Sequence, residues 1–144
     1  WGNDLAPISQ KEPPALSLNK IASISSKDID SAFLRGGNKQ YLTGNLTRPQ
    51  FLKAVSDEEV GIALIRTGDK PLLDDPHFHT AVTEYHYVIA GSIQITDIEK
   101  RIAATYNQGD FFIIYPETKY SVVVSPHSNI LFIKNPMVDD KTVL

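Results

Sequence analysis

The sequence of 144 residues contains no cysteine. That absence excludes a disulfide scaffold, a thiolate nucleophile and a Cys-based zinc site, so any metal must be held by histidine, carboxylate, tyrosine or water. It leaves the redox compartment open. An excess of basic charge is also missing. The chain has 14 Lys and Arg against 17 Asp and Glu, a formal charge of -3, and no Lys/Arg cluster able to neutralise a phosphate backbone. Nucleic acid is therefore not an expected partner. No apolar run approaches the ~20 residues of a membrane span, and the start, Trp-Gly-Asn-Asp-Leu-Ala-Pro, has no basic region followed by an apolar one. No membrane partner is expected. The cytoplasm is the default location, although a removed signal would leave no trace.

With 42% hydrophobic and 22% charged residues, the chain suits a single core. The first twenty or so residues, with Pro7, Pro13 and Pro14, cannot sustain a helix and predict an extended arm. Ser25, Ser26 and Asp28 then supply helix-capping chemistry, Ile29, Ala32 and Phe33 fall at helical spacing, and Gly36-Gly37 stops the run. One short helix is expected there. From about residue 49 the pattern changes to short apolar or alternating runs: 50–55, 61–67, 84–90, 92–98, 101–107, 110–115, 120–125 and 129–134. Such a series of short strands predicts an all-β barrel or sandwich. The expected division is thus an arm with a short helix over 1–48 and a β-barrel over 49–144.

Three of the four histidines fall between residues 77 and 86. On a strand, alternate residues share a face, so His77 and His79 present two imidazoles in one direction while Phe78 points away. Glu84 adds a hard anionic ligand. The step from 79 to 84 is odd, so Glu84 joins the pair only if Thr80 to Thr83 turn or bulge. Two imidazoles and a carboxylate suit a divalent first-row metal (Fe, Mn, Zn or Ni) and leave positions open for water or substrate.

The spacing His77-x-His79-x4-Glu84-x6-Gly91, with Tyr87-Val88 before the glycine, resembles the first motif of the cupin superfamily. The resemblance covers roughly residues 60 to 134 and implies a double-stranded β-helix, or jelly-roll, barrel that holds a ligand or metal inside. In the second motif of that family a glycine, an apolar strand and a proline precede a histidine that completes the metal site. Here residues 109–120 keep the glycine, the strand and Pro116, but no histidine follows. Counting from Gly109 without a gap puts Tyr120 in the ligand slot, whereas counting from Pro116 puts Ser121 there; the gap-free alignment also aligns Tyr115-Pro116 with the family's turn. A tyrosine in this slot can be a ligand, an acid, a base, a hydrogen-bond donor or a wall residue.

Other residues carry weaker signals. His86 shares a strand face with Glu84 and is a candidate pocket-lining residue, or a wall histidine. Arg66, in register with Ile62 and Leu64, either points a guanidinium into the barrel or caps a strand end. His127, beside Pro126, is expected to be exposed. Asn45-Leu46-Thr47 fits a glycosylation acceptor, a triplet common by chance.

A cupin fold does not name a reaction. The resemblance implies a metal-dependent enzyme of isomerase, epimerase or lyase type, acting on a small polar or sugar-like substrate, with His77, His79 and Glu84 as ligands and Tyr120 and Glu84 as catalytic groups. The C-terminal stretch through Asp139-Asp140-Lys141 is similar to small cupins of carbohydrate-biosynthesis settings. The alternatives are a non-catalytic sugar or small-ligand binder and an iron-dependent dioxygenase. Exposed sheet edges and the habit of the family together suggest a homodimer.

Overall fold

A computed structural model describes Pro7, residues 17–18, residues 21–46 and residues 48–144. Most of the expected N-terminal arm, and Thr47 of the glycosylation triplet, lie outside these residues. The short helix is present as α1, Ser26–Arg35. Ser25 caps it, its hydroxyl accepting from Asp28 N at 3.1 Å, and the chain leaves at Gly36 with φ 145°.

The strands are β1 Ser17–Leu18, β2 Ile21–Ala22, β3 Lys39–Thr43, β4 Gly61–Arg66, β5 Leu72–His79, β6 Thr83–Ala90, β7 Ser92–Asp97, β8 Ile102–Asn107, β9 Phe111–Ile114, β10 Tyr120–Val124, β11 Asn129–Asn135 and β12 Lys141–Val143. Apart from the small β1-β2 ribbon, they form two five-stranded antiparallel sheets in the orders β12-β5-β10-β7-β8 and β3-β4-β11-β6-β9. This is the expected all-β, double-stranded β-helix architecture. Period-two alternation sets the inner faces. Ala63 and Ile65 of β4, Ile130 and Phe132 of β11, Val88 of β6, Ile93 of β7 and Val124 of β10 pack between the sheets as one apolar cluster. Truncating a side chain as buried as Ile93 or Ile130 would cost about 2–5 kcal/mol.

The expected strand over 50–55 does not form. Gln50 instead braces β3 with its side chain, its Oε1 accepting from Tyr41 N and its Nε2 donating to Tyr41 O, both at 2.7 Å. Leu52 and Ala54 are buried apolar residues, which explains the misleading hydrophobic run. Besides the β1-β2 ribbon, three strands without a clear sequence signal appear: β3, which pairs with β4 from a position before residue 49, β5, and β12, which pairs with β5.

Gly91, the motif glycine, turns the chain from β6 into β7 with φ 77°. A Cβ there would meet the Cα of Ser128 at 2.7 Å. Both the left-handed backbone and the close approach require glycine.

Candidate metal centre

The site lies where β5 ends and β6 begins, on opposite sheets. Pairing of β5 with β10 shifts register between Tyr120↔His77 and Val122↔Asp74, so Asp75 and Pro76 on β5 oppose Ser121 alone on β10. The extra residue falls at Asp75-Pro76, where a proline costs no ladder bond, and the bulge re-aims His77 and His79 inward. Residues 80–82 then carry the chain across to the other sheet. This crossing supplies the bend that the odd spacing of Glu84 demands.

His77, His79 and Glu84 are all buried, and their donor atoms lie within 4.8 Å of one another. The outward nitrogen of each imidazole is held. His77 Nδ1 donates to Asp75 O at 2.6 Å, and His79 Nδ1 to Asp140 Oδ1 at 2.6 Å. Since a carbonyl and a carboxylate only accept, both protons sit on Nδ1 and both Nε2 atoms face the centre. Burial lowers the pKa of His77 against the help of the Asp75 carbonyl, so its Nε2 carries a lone pair. Burial also works against charge on His79, but the bonds to Glu84 and Asp140 overcome it and raise its pKa. His79 Nε2 stands 3.0 Å from Glu84 Oε1. A proton or a cation must occupy that gap, because both nitrogens of His79 face carboxylate oxygens. Burial would raise Glu84, yet His79, His86 and Tyr120 pull it down to about 2. The donor set, its convergence and the outer-shell acceptors fit a divalent ion.

Tyr120 is buried and donates from Oη to Glu84 Oε1 at 2.5 Å. Burial and the neighbouring Glu84 charge push its pKa far up, so it is a neutral phenol and a donor. His77 packs against its ring at 4.4 Å between centroids. His86 faces the interior beside Glu84, with Nε2 3.8 Å from Glu84 Oε2, and stacks on Phe112 at 4.5 Å. Burial lowers its pKa to about 4, and its Nδ1 has no hydrogen-bond partner among the described residues.

Arg66 is a correction. The inner row of β4 is Gly61, Ala63 and Ile65, so the face of Ile62, Leu64 and Arg66 points outward. There the Arg66 guanidinium pairs with Asp30 of α1 at 2.7 Å and lies over the Phe33 ring at 4.8 Å. It ties the helix to the sheet and does not reach the cavity. His127 is exposed, as expected, beside Asp69.

Two groups escaped sequence reasoning. Asp140 accepts from His79, and its other oxygen accepts from Ala81 N at 2.7 Å and Val82 N at 3.2 Å. One carboxylate thereby orients a candidate ligand and fixes the crossing between sheets. Nothing in the sequence spacing links it to residue 79. Lys134 continues the inner row of Ile130 and Phe132, directly opposite Glu84. Its parity along 129–134 was the available signal.

No protein-family model and no curated protein matches the sequence. Solved structures do match in fold. KdgF from Halomonas sp. aligns with TM-score 0.53 and 16% identity over 71% of this chain and 80% of its own. A double-stranded β-helix domain protein from Klebsiella pneumoniae aligns with TM-score 0.50 and 13% identity over 60% of this chain and 75% of its own. Oxalate decarboxylase from Bacillus subtilis, a protein with Mn(II) centres, aligns with TM-score 0.50 and 19% identity over 60% of this chain and only 24% of its own. The chain therefore has the cupin fold. Among the described residues, no helix is long and apolar enough to cross a membrane.

Proposed function

We propose that the chain is a metal-dependent enzyme of isomerase, epimerase or lyase type, acting on a small polar, sugar-like substrate inside the barrel. The observation that carries this reading is the committed outer nitrogen of each imidazole, which leaves His77 and His79 Nε2 converging with Glu84 on one point. His77, His79 and Glu84 would hold a divalent ion there, and such an ion would supply the polarisation of a substrate oxygen that makes a neighbouring C–H more acidic.

The protein's own groups supply the proton chemistry. Tyr120 holds the proton of its bond to Glu84 Oε1, so it can donate to a substrate oxygen while a Glu84 carboxylate oxygen takes the proton that the neighbouring C–H loses. Burial excludes water from this exchange. Mn(II), present in the Bacillus subtilis oxalate decarboxylase, is the first ion to test.

Metal analysis of protein purified without added metal tests the reading, together with His77→Ala and Tyr120→Phe. Bound divalent ion is expected in the wild type, lost in His77→Ala and retained in Tyr120→Phe. No bound metal, with unaltered ligand affinity in His77→Ala, would leave a non-catalytic ligand-binding cupin. Anaerobic iron loading followed by oxygen addresses the dioxygenase alternative, which a spectral change would favour.

A further inference from the structure

A cavity of about 440 Å³ is lined in part by Lys39, Tyr41, Arg48, Lys134, Asp139 and Lys141, of which Lys134 and Lys141 are the cross-strand neighbours of Glu84 and His79. Its cations fall into two kinds. At the rim, Arg48 pairs with Asp139 at 3.5 Å and Lys141 with Asp74 at 2.6 Å. Lys39 and Lys134 form no ion pair with any acidic group among the described residues.

Both unpaired amines face the interior. Lys134 is only 9% exposed and stands cross-strand from Glu84 on one side and Gly61 on the other. Lys39 starts at the exposed edge of β3, but its Nζ reaches over the Phe132 ring, 4.8 Å from the centroid. Burial lowers both pKa values, while the Glu84 charge holds them up. Glu84 acts on them only at longer range, since neither of its oxygens forms an ion pair with either amine and its recorded partners are His79, His86 and Tyr120. A cation at the three-ligand centre would add more positive charge, and the depressed pKa of His86 keeps that ring neutral near neutral pH. A buried ammonium without a counter-ion is costly, and an anionic guest removes that cost.

We propose that Lys39 and Lys134 form an anion subsite, so that the substrate is a small polyoxygenated acid. One end meets His77, His79 and Glu84, and the other carries a carboxylate held by the two amines. The assignment rests on the metal-dependent reading above and narrows its substrate class.

The test is calorimetry of L-lactate, L-malate and 2-hydroxyglutarate with the Mn(II)-loaded full chain. All share an α-hydroxycarboxylate head that can chelate the ion. Malate and 2-hydroxyglutarate add a carboxylate on arms of different length. At least one of these should bind about 10-fold or more tighter than lactate, since charge-assisted contacts to a second carboxylate are the strong kind. The gain should fall to within about 2-fold in Lys39→Met and in Lys134→Met. Lys39 lies on an exposed edge, so its variant keeps the test informative if Lys134→Met disturbs folding. The subsite is refuted if neither longer acid exceeds lactate, or if the gain survives in both variants. Repeating the titrations without metal separates the two readings. Lysine-dependent malate binding in a chain that takes up no metal upholds the subsite and removes the metal-dependent enzyme.

Discussion

Asp140 offers a sharp test of the centre, because one carboxylate serves both the candidate ligand His79 and the backbone between the sheets. Its pKa is held down, against the effect of burial, by the Ala81 amide and His79. In Asp140→Asn the single carbonyl oxygen can accept from His79 or from the amides of Ala81 and Val82, but not serve both as the carboxylate does. The amide also lacks the charge that makes the imidazole a better ligand. Outer-shell losses of this kind lower metal affinity about 10- to 100-fold, or about 1.4–2.7 kcal/mol. Asp140→Ala should cost stability as well, about 2–4 kcal/mol: hydrogen bonds to a charged group contribute about 1.5–3 kcal/mol each, and water recovers part of that near the surface. Mn(II) affinity by chelator competition and urea unfolding measure the two effects separately. An Asp140→Asn variant that binds Mn(II) within about 2-fold of the wild type, while losing stability, would show that Asp140 only staples the crossing.

Metal binding should displace the proton of His79, so proton release seen by calorimetry in buffers of different ionisation enthalpy is expected near neutral pH, with affinity rising as pH rises. Unchanged heat across buffers would contradict the proton in the gap to Glu84. In the metal-free chain, the depressed pKa of His86, about 4 against 6.5, means that the unfolded state binds more protons between those values. Stability from this group should therefore fall by about 3 kcal/mol as pH drops from 6.5 to 4, and His86→Phe should flatten that step in urea titrations. The opposite linkage holds for His79, whose raised pKa contributes stability below 6.5 that is lost as pH climbs through the folded value. Gly91→Ala should destabilise by about 2 kcal/mol or more, from the left-handed strain and the clash with Ser128, measured as a lower urea midpoint. Arg66→Ala should cost under about 1 kcal/mol and leave Mn(II) affinity unchanged, since its partner Asp30 is exposed; a change in affinity would return Arg66 to the site.

Much of the candidate site was legible because it is local. His77 and His79 share a face by period two, and Glu84 and Gly91 follow within one hairpin-length segment. Most strands showed themselves through apolar alternation that matches a half-buried surface. β5 did not, because Asp74, Asp75 and Pro76 interrupt its pattern at the bulge that aims the histidines. Residues 50–55 misled in the opposite sense, since Leu52 and Ala54 are buried without forming a strand.

What the sequence determined by itself was the barrel, the candidate ligands His77, His79 and Glu84, and the lack of a histidine after Pro116 to complete the site, all carried by short-range spacing. Tertiary structure alone decided the rest. It brought Asp140 against His79 across 61 positions of chain, set Tyr120 as a protonated donor to Glu84, turned Arg66 outward and left Lys39 and Lys134 facing inward with no ion-pair partner among the described residues. The reason is physical: these roles depend on which strands pair and in which register, and pairing between distant strands leaves no trace in local periodicity.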